Sequence, residues 1–199
     1  MQKQNLLFKT TCLSSFFGLI LFLSSCAGPD HKGSADLQAK VDSLQKALDV
    51  FTAEKAMTDK RLAAFDVLDF DTYTHQKWTE FGATHTEDVK VFYPDGSISV
   101  GLTPGHIDKM KPQFAFAPDT KIKEHPIKLG SGDWTAVVGV MEGTFSKPID
   151  LGNGKSIAPT GKKFKISMTT IGHWKGDKMF EEYLFWDNEL FNKQIGIGQ

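Results

Sequence analysis

The chain has 199 residues, of which 40% are hydrophobic and 12% aromatic. A chain of this size can bury one substantial core, and it is too short for two once its N-terminal segments are set aside. Lysine and arginine number 23 against 24 aspartates and glutamates, and the formal net charge is −1, so that no basic excess favours a nucleic-acid partner. One globular domain is expected, and the composition argues against the nucleic-acid-binding class.

The first 25 residues have the pattern of a bacterial lipoprotein signal peptide. Lys3 and Lys9 precede an apolar run over residues 13–23, which is too short to cross a bilayer comfortably. Residues 23–26, Leu-Ser-Ser-Cys, then match a lipobox, in which small residues come before the lipidated cysteine. We therefore predict a signal peptide over 1–25, lipidation of Cys26, and a domain held on a membrane of the cell envelope, outside the cytoplasm, for example in the periplasm.

Cysteine usage agrees with this interpretation. The two cysteines of the chain are Cys12, inside the predicted signal peptide, and Cys26, the predicted lipid acceptor. The mature domain would then have no thiol for a disulfide, a metal or a catalytic nucleophile.

Two segments connect the predicted anchor to the domain. Residues 26–36 are small, polar and turn-prone, which is typical of a flexible tether. In the predicted helix over 37–66, apolar residues recur up to residue 51 at alternating spacings of four and three, the heptad pattern of a helix that can pair with another, and Lys55 and Thr58 then break the pattern. The residues of this pattern are Leu37, Val41, Leu44, Leu48 and Phe51. Two interpretations remain open: a short coiled coil that joins copies or holds the domain off the membrane, and a single amphipathic spacer helix packed on its own domain.

The remaining residues, 67–199, have the periodicity of one α+β domain. Predicted helices cover 71–81 and 103–116, and predicted strands cover 88–93, 121–127, 134–145, 163–174 and 179–186. Asn153-Gly154 marks a tight turn. Helices that come first, followed by an antiparallel sheet, are the order expected of a cone in which helices pack against a strongly curved sheet.

The last two strands carry the clearest signal. From Lys163 to Trp174 polar and apolar residues alternate, so that Phe164 and the residues at 166 and 168 share one face of a half-buried strand. A short turn containing Gly176 leads into an aromatic second strand, and together they predict a hairpin. Gly172, inside the first strand, predicts a bulge or bend of the kind that curls a sheet around a pocket.

Residues along this region also resemble a known family. The pattern consists of Gly143-Thr144-Phe145, Pro159-Thr160-Gly161-Lys162, Trp174, Gly176, Lys178, Glu182, Asp187 and Gln194-Ile195-Gly196. In this order they are similar to the SnoaL-like polyketide cyclase, or ester cyclase, branch of the NTF2-like superfamily, and the resemblance covers about Trp78 to Gln199. It implies an NTF2-like cone, ring closure without a cofactor by a histidine and an aspartate in an apolar pocket, and a homodimer. The positions that match this pair are His173 and Asp187.

Acid–base chemistry is the reaction type that these residues support best. A neutral histidine such as His173 can take a proton from an acidic C–H group, and a carboxyl group such as Asp187 in an apolar pocket can return one to a carbonyl oxygen. The alternative is that His173 lies at an exposed strand end and that Asp187 caps the segment after it. Candidate ligand contacts are Trp186, Tyr183, Trp174, Tyr93, His106 and Glu142, with His125 as a further candidate.

Other catalytic signatures are absent from the sequence. Residues 152–156 look like part of a phosphate loop, but they lack its first glycine and lie in a predicted hairpin. His85 with Asp88, and His106 with Asp108, could each offer two ligands, but neither pair has a partner at metal-site spacing. No metal site and no cofactor are expected.

The leading hypothesis is a lipid-anchored, extracytoplasmic SnoaL-like protein that binds a small hydrophobic carbonyl compound and transforms it by cofactor-free acid–base chemistry. The alternative is a non-enzymatic NTF2-like module that binds a ligand or a protein partner. The two hypotheses make different demands on the fold, because catalysis by the predicted pair requires His173 and Asp187 to share one pocket, whereas an interaction module tolerates a filled core.

Overall fold

The computed structural model of this chain describes residues 31–198. The predicted signal peptide and the predicted lipidation site, Cys26, lie outside these residues. No helix within them is long and apolar enough to cross a membrane. The chain divides into two compact units after Asp42, and the larger unit, from Ser43 onward, contains the sheet and the cavity described below.

The first described element is a long helix, α1 (His31–Val67). It begins inside the stretch 26–36 that was expected to be a flexible tether, so that residues 31–36 are helical instead. Small polar residues are tolerated there because the first turn of a helix leaves its N–H groups free to bind water. An ion pair from Lys40 to Asp36, one turn apart, supports the turn that follows.

The C-terminal part of α1 is anchored to two turns of the sheet. Arg61 is only 4% exposed, and its guanidinium donates hydrogen bonds of 2.7 Å to the carbonyl oxygens of Gly132 and Gly176. A buried charged side chain requires such partners. Phe65, one turn further on, packs edge-on against Trp174 in the core. These contacts fix the end of α1 against the sheet.

The segment after α1 contains two short helical pieces. A wide helical turn covers Leu68–Tyr73, and a 3-10 helix covers Trp78–Ala83. The predicted single helix over 71–81 is therefore wrong. The chain reverses at Gln76, whose φ of 55° is left-handed and cannot continue a right-handed helix. The wide turn buries Asp69.

Nine strands follow in the described chain, in a seven-stranded main sheet and a separate two-stranded sheet. They are β1 (His85–Phe92), β2 (Ile98–Val100), β3 (Lys121–Ile122), β4 (Ile127–Ser131), β5 (Trp134–Thr144), β6 (Ile149–Gly152), β7 (Lys155–Ile157), β8 (Lys163–Lys175) and β9 (Lys178–Trp186). The main sheet has the order β2-β1-β9-β8-β5-β3, and β4 also pairs with β5. Its neighbours are antiparallel except for β1 and β9, which are parallel. The fold class is α+β, as predicted.

One predicted strand is divided in the structure, and the short strands β2, β6 and β7 were not predicted. The stretch 121–127 contains all of β3 and the first residue of β4, and Pro126 between them has no N–H group for the ladder with β5. The predicted tight turn is confirmed, since Asn153 and Gly154 both have positive φ between β6 and β7. The C-terminal hairpin is also confirmed, with Lys175 opposite Lys178.

Gly172 lies where the hairpin was expected to deform. The pairing of β8 with β9 is irregular between His173 and Trp174, one residue further along the strand. A Cβ atom on Gly172 would lie 2.6 Å from Met179 Sδ and 2.9 Å from Trp174 Nε1, so a larger residue would not fit. Glycine is thus required by the close approach of two core side chains.

Two more helices complete the domain. A wide turn, Leu102–His106, leads into α2 (Ile107–Phe116), and the chain ends in α3 (Asn188–Ile195). Side chains of these elements and of α1 pack with the sheet in one main core. Its members include Phe65, Phe81, Ile107, Phe114, Val137, Phe164, Trp174, Met179 and Ile195.

Candidate functional site

A cavity of about 330 Å³ lies within this core region. Its walls are mainly apolar, and they include Leu68, Phe81, Met110, Phe116, Met141, Ile166, Met168, Leu184, Trp186 and Phe191. A few polar side chains also line it, among them Asp69, Tyr73, His85, Tyr93, His106, Thr170 and Glu182. A mainly apolar cavity with a small number of polar groups is typical of a small-molecule site.

Three buried titratable side chains meet at one wall of the cavity. The Nε2 atoms of His85 and His106 lie 3.6 Å and 3.3 Å from the same oxygen, Oε2 of Glu182. All three side chains are at most 5% exposed. Neither His85 Nε2 nor Glu182 Oε2 has a hydrogen-bond partner in the described chain. Such buried, unpartnered polar atoms are costly, which indicates that a proton, a ligand or an ion completes this cluster.

Local backbone contacts fix the ring of His85. The residue begins β1 and is separated from the 3-10 helix only by Thr84. Its Nδ1 atom lies 3.1 Å from the carbonyl oxygen of Phe81 and 2.9 Å from Thr84 Oγ1. A hydrogen on Nδ1 can bind that carbonyl, and in a neutral ring this leaves a lone pair on Nε2, the atom that faces Glu182.

The wide turn before α2 carries His106 into the cavity. A Cβ atom on Gly105 would lie 2.5 Å from the carbonyl oxygen of Val100, so that glycine allows the turn to pack closely on β2. His106 follows, and its Nδ1 atom lies 2.8 Å from the hydroxyl oxygen of Tyr93. That hydroxyl group is in turn 3.1 Å from Ser99 Oγ. The His106 ring is therefore oriented from behind by a chain of hydroxyl groups.

Burial controls the charge state of these groups. It lowers the pKa of His106 to about 4, against the pull of Glu182, so that the ring is neutral at pH 7. Burial alone would raise the pKa of Glu182, but the neighbouring His106 and His85 side chains outweigh it and hold the pKa below its usual value. Burial also raises the pKa of Tyr93 to about 12. A carboxylate, a neutral imidazole and an intact phenol therefore meet here at neutral pH.

A second polar cluster positions Asp69. His125, in the link between β3 and β4, lies with Nε2 2.8 Å from Asp69 Oδ2 and with Nδ1 2.8 Å from Asp66 Oδ1. Lys128 Nζ donates to the other Asp66 oxygen at 2.7 Å. Because both ring nitrogens of His125 face carboxylate oxygens, both can donate only when the ring is protonated. In its protonated form, His125 holds the carboxylate of Asp69 in place beside the cavity.

The pKa shifts in this second cluster favour proton transfer by Asp69. Burial alone would lower the pKa of His125, but its hydrogen bonds to Asp69 and Asp66 outweigh burial and raise the pKa. Burial raises the pKa of Asp69, and the contacts with His125 offset only part of this effect. A carboxylate with a raised pKa is a stronger base than an exposed aspartate, which suits it to remove a proton from a bound molecule.

Titration of His125 should make stability depend on pH. Its pKa is raised in the folded state above the unfolded value of about 6.5, so its contribution to stability is fully present below about pH 6.5 and is lost as pH rises through the folded pKa. The charged groups that face the ring are Asp66 and Asp69, with Lys128 beside Asp66. Urea unfolding at a series of pH values measures this loss. The loss of stability with rising pH should be absent in His125→Gln and should remain in the control His75→Gln, at an exposed site. A free energy of unfolding of the wild type that does not change with pH in this range would contradict the prediction.

Three residues proposed from the sequence as ligand contacts do line the cavity. They are Tyr93, His106 and Trp186. Tyr93 and His106 belong to the hydrogen-bonded wall described above, and Trp186 belongs to the apolar wall.

The structure does not bring together His173 and Asp187, the predicted acid–base pair. His173 is opposite Glu181 in the hairpin, pairs with its carboxylate at 2.9 Å and stacks on Trp134 at 3.8 Å. Asp187 follows the other end of β9 and caps α3 by accepting a hydrogen bond from the Leu190 N–H group. Asp187 lies six residues beyond Glu181, so roughly 20 Å separates the predicted pair along the sheet. Neither residue lines the cavity, and the expectation of one shared pocket is wrong.

Three of the proposed ligand contacts lie elsewhere. Trp174 is 1% exposed and belongs to the core. Tyr183 stacks on Phe92 at 4.4 Å, away from the residues that line the cavity. Glu142 pairs with Lys121 at 3.3 Å at the edge of the sheet. Strand alternation explains why Tyr183 does not face the cavity. Successive side chains point to opposite faces of the sheet, and its neighbours Glu182 and Leu184 are the residues that line the cavity.

Sequence reasoning missed the roles of three residues that face the cavity, His85, Glu182 and Asp69. Glu182 shares its strand face with Leu184 and Trp186, and a charged residue on an otherwise apolar face is a signal that alternation could have found. The pairing of Asp69 with His125 joins residues far apart in the chain, and no local pattern indicates it.

The fold and the cavity define a class of protein, the NTF2-like α+β domains in which helices and a mixed sheet enclose a small-molecule cavity. Residues 66–195, well over half of the chain, match the family of SnoaL-like polyketide cyclases, and the chain belongs to this family. No curated protein sequence matches the chain.

Solved structures have the same fold at low sequence identity. A protein of Jannaschia sp. CCS1 described as a SnoaL-like polyketide cyclase is 16% identical, with a TM-score of 0.61 over 72% of this chain and 96% of that one. IdmH of Streptomyces antibioticus, described as a polyketide cyclase, is 17% identical, with a TM-score of 0.56 over 70% and 99%. A SnoaL-like polyketide cyclase of Agrobacterium tumefaciens is 19% identical, with a TM-score of 0.53 over 68% and 98%. At these identities the likeness shows the fold alone.

Proposed function

We propose that the protein binds a small, mainly apolar carbonyl compound in its cavity and moves a proton on it by acid–base chemistry. The observation that carries this proposal is the cavity of about 330 Å³, in which apolar walls enclose Asp69 together with the buried cluster of His85, His106 and Glu182. Membership of the SnoaL-like family supports a small-molecule ligand. Desolvated carboxylates and imidazoles in such a cavity are the groups that acid–base catalysis requires.

Asp69 is the proposed base. Its carboxylate takes a proton from the carbon next to the carbonyl group, and the electron pair of that C–H bond moves onto the carbonyl oxygen to give an enolate. The carbon can then regain the proton from Asp69 at the same or a conjugated position. Alternatively, it can attack a second carbonyl of the same molecule and close a ring; the π electrons of that carbonyl move onto its oxygen, which takes the proton back from Asp69. His125, held by Asp66, keeps the carboxylate of Asp69 oriented towards the cavity.

The cluster on the other wall is the proposed partner of the carbonyl oxygen. His85 Nε2 has no partner in the described chain, and His106 is fixed from behind by Tyr93. With its ring hydrogen on Nε2, as the hydroxyl groups beside each Nδ1 allow, either imidazole would donate to a carbonyl oxygen placed there, whereas the apolar body of the ligand would contact side chains such as Trp186.

Exchange of the acidic C–H protons of 2-tetralone, an apolar cyclic ketone, with deuterium oxide tests this function by NMR. The wild-type protein should bind 2-tetralone and accelerate the exchange. Met168→Trp, which fills the cavity, should abolish both, and Ser167→Trp, at the exposed neighbouring position on β8, should leave both unchanged. Binding without exchange would overturn the proposed chemistry and favour the non-enzymatic ligand-binding alternative.

We also propose that Cys26 anchors the protein to a membrane, outside the cytoplasm. The support is the lipobox at 23–26 and the apolar segment before it. In cells grown with a labelled fatty acid, the wild-type protein should carry the label and sediment with membranes. Cys26→Ala should remove the label, whereas Cys12→Ala should not. Labelling that persists in Cys26→Ala would disprove lipidation at this residue.

Pairing of two copies through α1 is the third element of the proposal. The heptad residues are exposed in the single chain, with 71% of Leu44 and 64% of Phe51 accessible to solvent. Their alternating spacings are those of a coiled-coil seam. Light scattering should give the mass of two chains for the wild type and of one chain for Leu44→Asp, with Gln45→Asp as a control off the seam. A monomeric wild-type protein would favour the spacer-helix interpretation.

A further inference from the structure

We propose that His85, His106 and Glu182 form a binding site for a divalent first-row transition-metal ion, with Zn²⁺ as the best-fitting example. This inference rests on the proposed function, because the ion would face the same cavity. It departs from the expectation, drawn from sequence spacing, that the chain has no metal site.

The donor atoms have the right chemistry and spacing. One ligand atom from each of the three residues can be chosen so that all lie within 4.8 Å of one another. Two imidazole nitrogens and one carboxylate oxygen are a ligand set of catalytic zinc sites, and two ligands about 2.1 Å from zinc at a tetrahedral angle lie roughly 3.4 Å apart. The distances from Glu182 Oε2 to His85 Nε2 and His106 Nε2, 3.6 Å and 3.3 Å, match this separation.

The unpartnered atoms point to a cation. His85 Nε2 and Glu182 Oε2 are both inaccessible and have no hydrogen-bond partner in the described chain, on side chains that are 0% and 5% exposed. Among the described residues, the ion-pair partners of Glu182 are the two histidines. A metal ion between these atoms would bind both orphaned groups and compensate the buried carboxylate charge.

The outer contacts of the histidines are also those of metal ligands. In metal sites the second ring nitrogen of each histidine usually donates to a carbonyl, a carboxylate or water, which fixes the ring. Here His85 Nδ1 lies against the carbonyl oxygen of Phe81, and His106 Nδ1 lies against the Tyr93 hydroxyl group. That hydroxyl group also contacts Ser99 Oγ, so it can accept from His106 and donate to Ser99 at the same time. Both Nε2 lone pairs would then be free for the ion.

Three protein ligands leave one position of a four-coordinate ion open. All three residues line the cavity, so the open position would be accessible to a bound carbonyl oxygen. The ion would withdraw electron density from that oxygen as the proton leaves the neighbouring carbon. The proton itself would still go to Asp69, and the metal therefore adds an electrophile to the proposed chemistry without replacing its base.

Metal binding is tested on the full chain, purified in detergent, stripped with a chelator and titrated with ZnCl₂ and CoCl₂. We expect one ion per chain and, with Co²⁺, the visible absorption bands of low-coordinate cobalt. Glu182→Gln and His85→Ala should each weaken binding by about 100-fold or more, since they remove a ligand, whereas His75→Ala, at an exposed site, should bind like the wild type. Fewer than one ion per wild-type chain at micromolar metal would overturn the proposal.

Tyr93→Phe provides a milder variant, in case the ligand variants do not fold. Loss of its hydroxyl contact to His106 should weaken Zn²⁺ binding by about 10-fold or more, as the loss of outer contacts does in metal sites. If folded Glu182→Gln, or Tyr93→Phe, bound Zn²⁺ as tightly as the wild type, the proposed metal site would be contradicted. Exchange of 2-tetralone, measured in both chelator-treated and zinc-titrated protein, separates the two proposals. Exchange by a protein that binds no metal overturns only the metal site, and no exchange by a protein that binds one ion overturns only the proposed function.

Discussion

Asp69→Asn is expected to slow the catalysed exchange of 2-tetralone by about 100-fold or more, because a positioned general base typically contributes a factor of 10² to 10⁴. Asparagine keeps the size of the side chain and can still accept a hydrogen bond from His125, but it cannot take a proton. The rate is measured by NMR in deuterium oxide with wild-type protein and variant at equal concentration.

Asp71→Asn is the matched control for this variant. Asp71 lies in the same wide turn, but its side chain is 46% exposed and it does not line the cavity. The Asp71→Asn variant should catalyse the proton exchange of 2-tetralone at the wild-type rate. The wild-type rate should also rise with pH as Asp69 loses its proton. This rise should occur at a higher pH than the titration of an exposed aspartate, because burial raises the pKa of Asp69. An Asp69→Asn variant that keeps the full rate would place the base elsewhere in the cavity.

Trp174→Ala is expected to destabilise the protein by about 3–5 kcal/mol, the usual cost of removing a large aromatic side chain from a core. Trp174 is 1% exposed and packs edge-on against Phe65. Its Nε1–H group donates to Thr135 Oγ1 at 2.8 Å, and the guanidinium of Arg61 lies 5.8 Å from the ring centroid. The substitution would therefore leave a large void and an unpartnered hydroxyl group where α1 meets the sheet. Urea unfolding monitored by circular dichroism measures the decrease in the free energy of unfolding.

Trp134→Ala serves as the comparison. Trp134 is 43% exposed and stacks on His173 near the surface. Its removal should cost roughly 1 kcal/mol or less, as for most surface substitutions. Equal losses for the two variants would contradict the assignment of Trp174 to the core, and would return it to the ligand contacts suggested by the sequence.

The C-terminal hairpin shows how far local patterns reach. Its alternation predicts both strands and the turn between them, and the structure confirms them, since period-two alternation directly reflects a sheet with one buried face. The same pattern did not show that His173 and Asp187 lie far apart in the hairpin. Proximity in sequence to a turn or a strand end does not determine which cavity a side chain reaches.

Two other segments and the start of α1 also differ from the sequence predictions for physical reasons. The predicted helix over 71–81 failed because the chain reverses at Gln76, and a left-handed residue of this kind is not marked by its type alone. The strand over 121–127 divided because Pro126 cannot join the ladder, which is a signal that the sequence does contain. Residues 31–36 continue α1 although their composition is typical of a tether.

The sequence by itself determined the class of fold, the hairpin and the resemblance to the SnoaL-like family, because these depend on short-range periodicity and on ordered motifs. Only the tertiary structure decided which titratable groups meet. His85, His106 and Glu182 come from β1, from the turn before α2 and from β9, and the parallel pairing that sets Val91 beside Glu182 brings them together. Strand pairing between distant segments is set by the packing of the whole core, so no local spacing could have predicted this cluster.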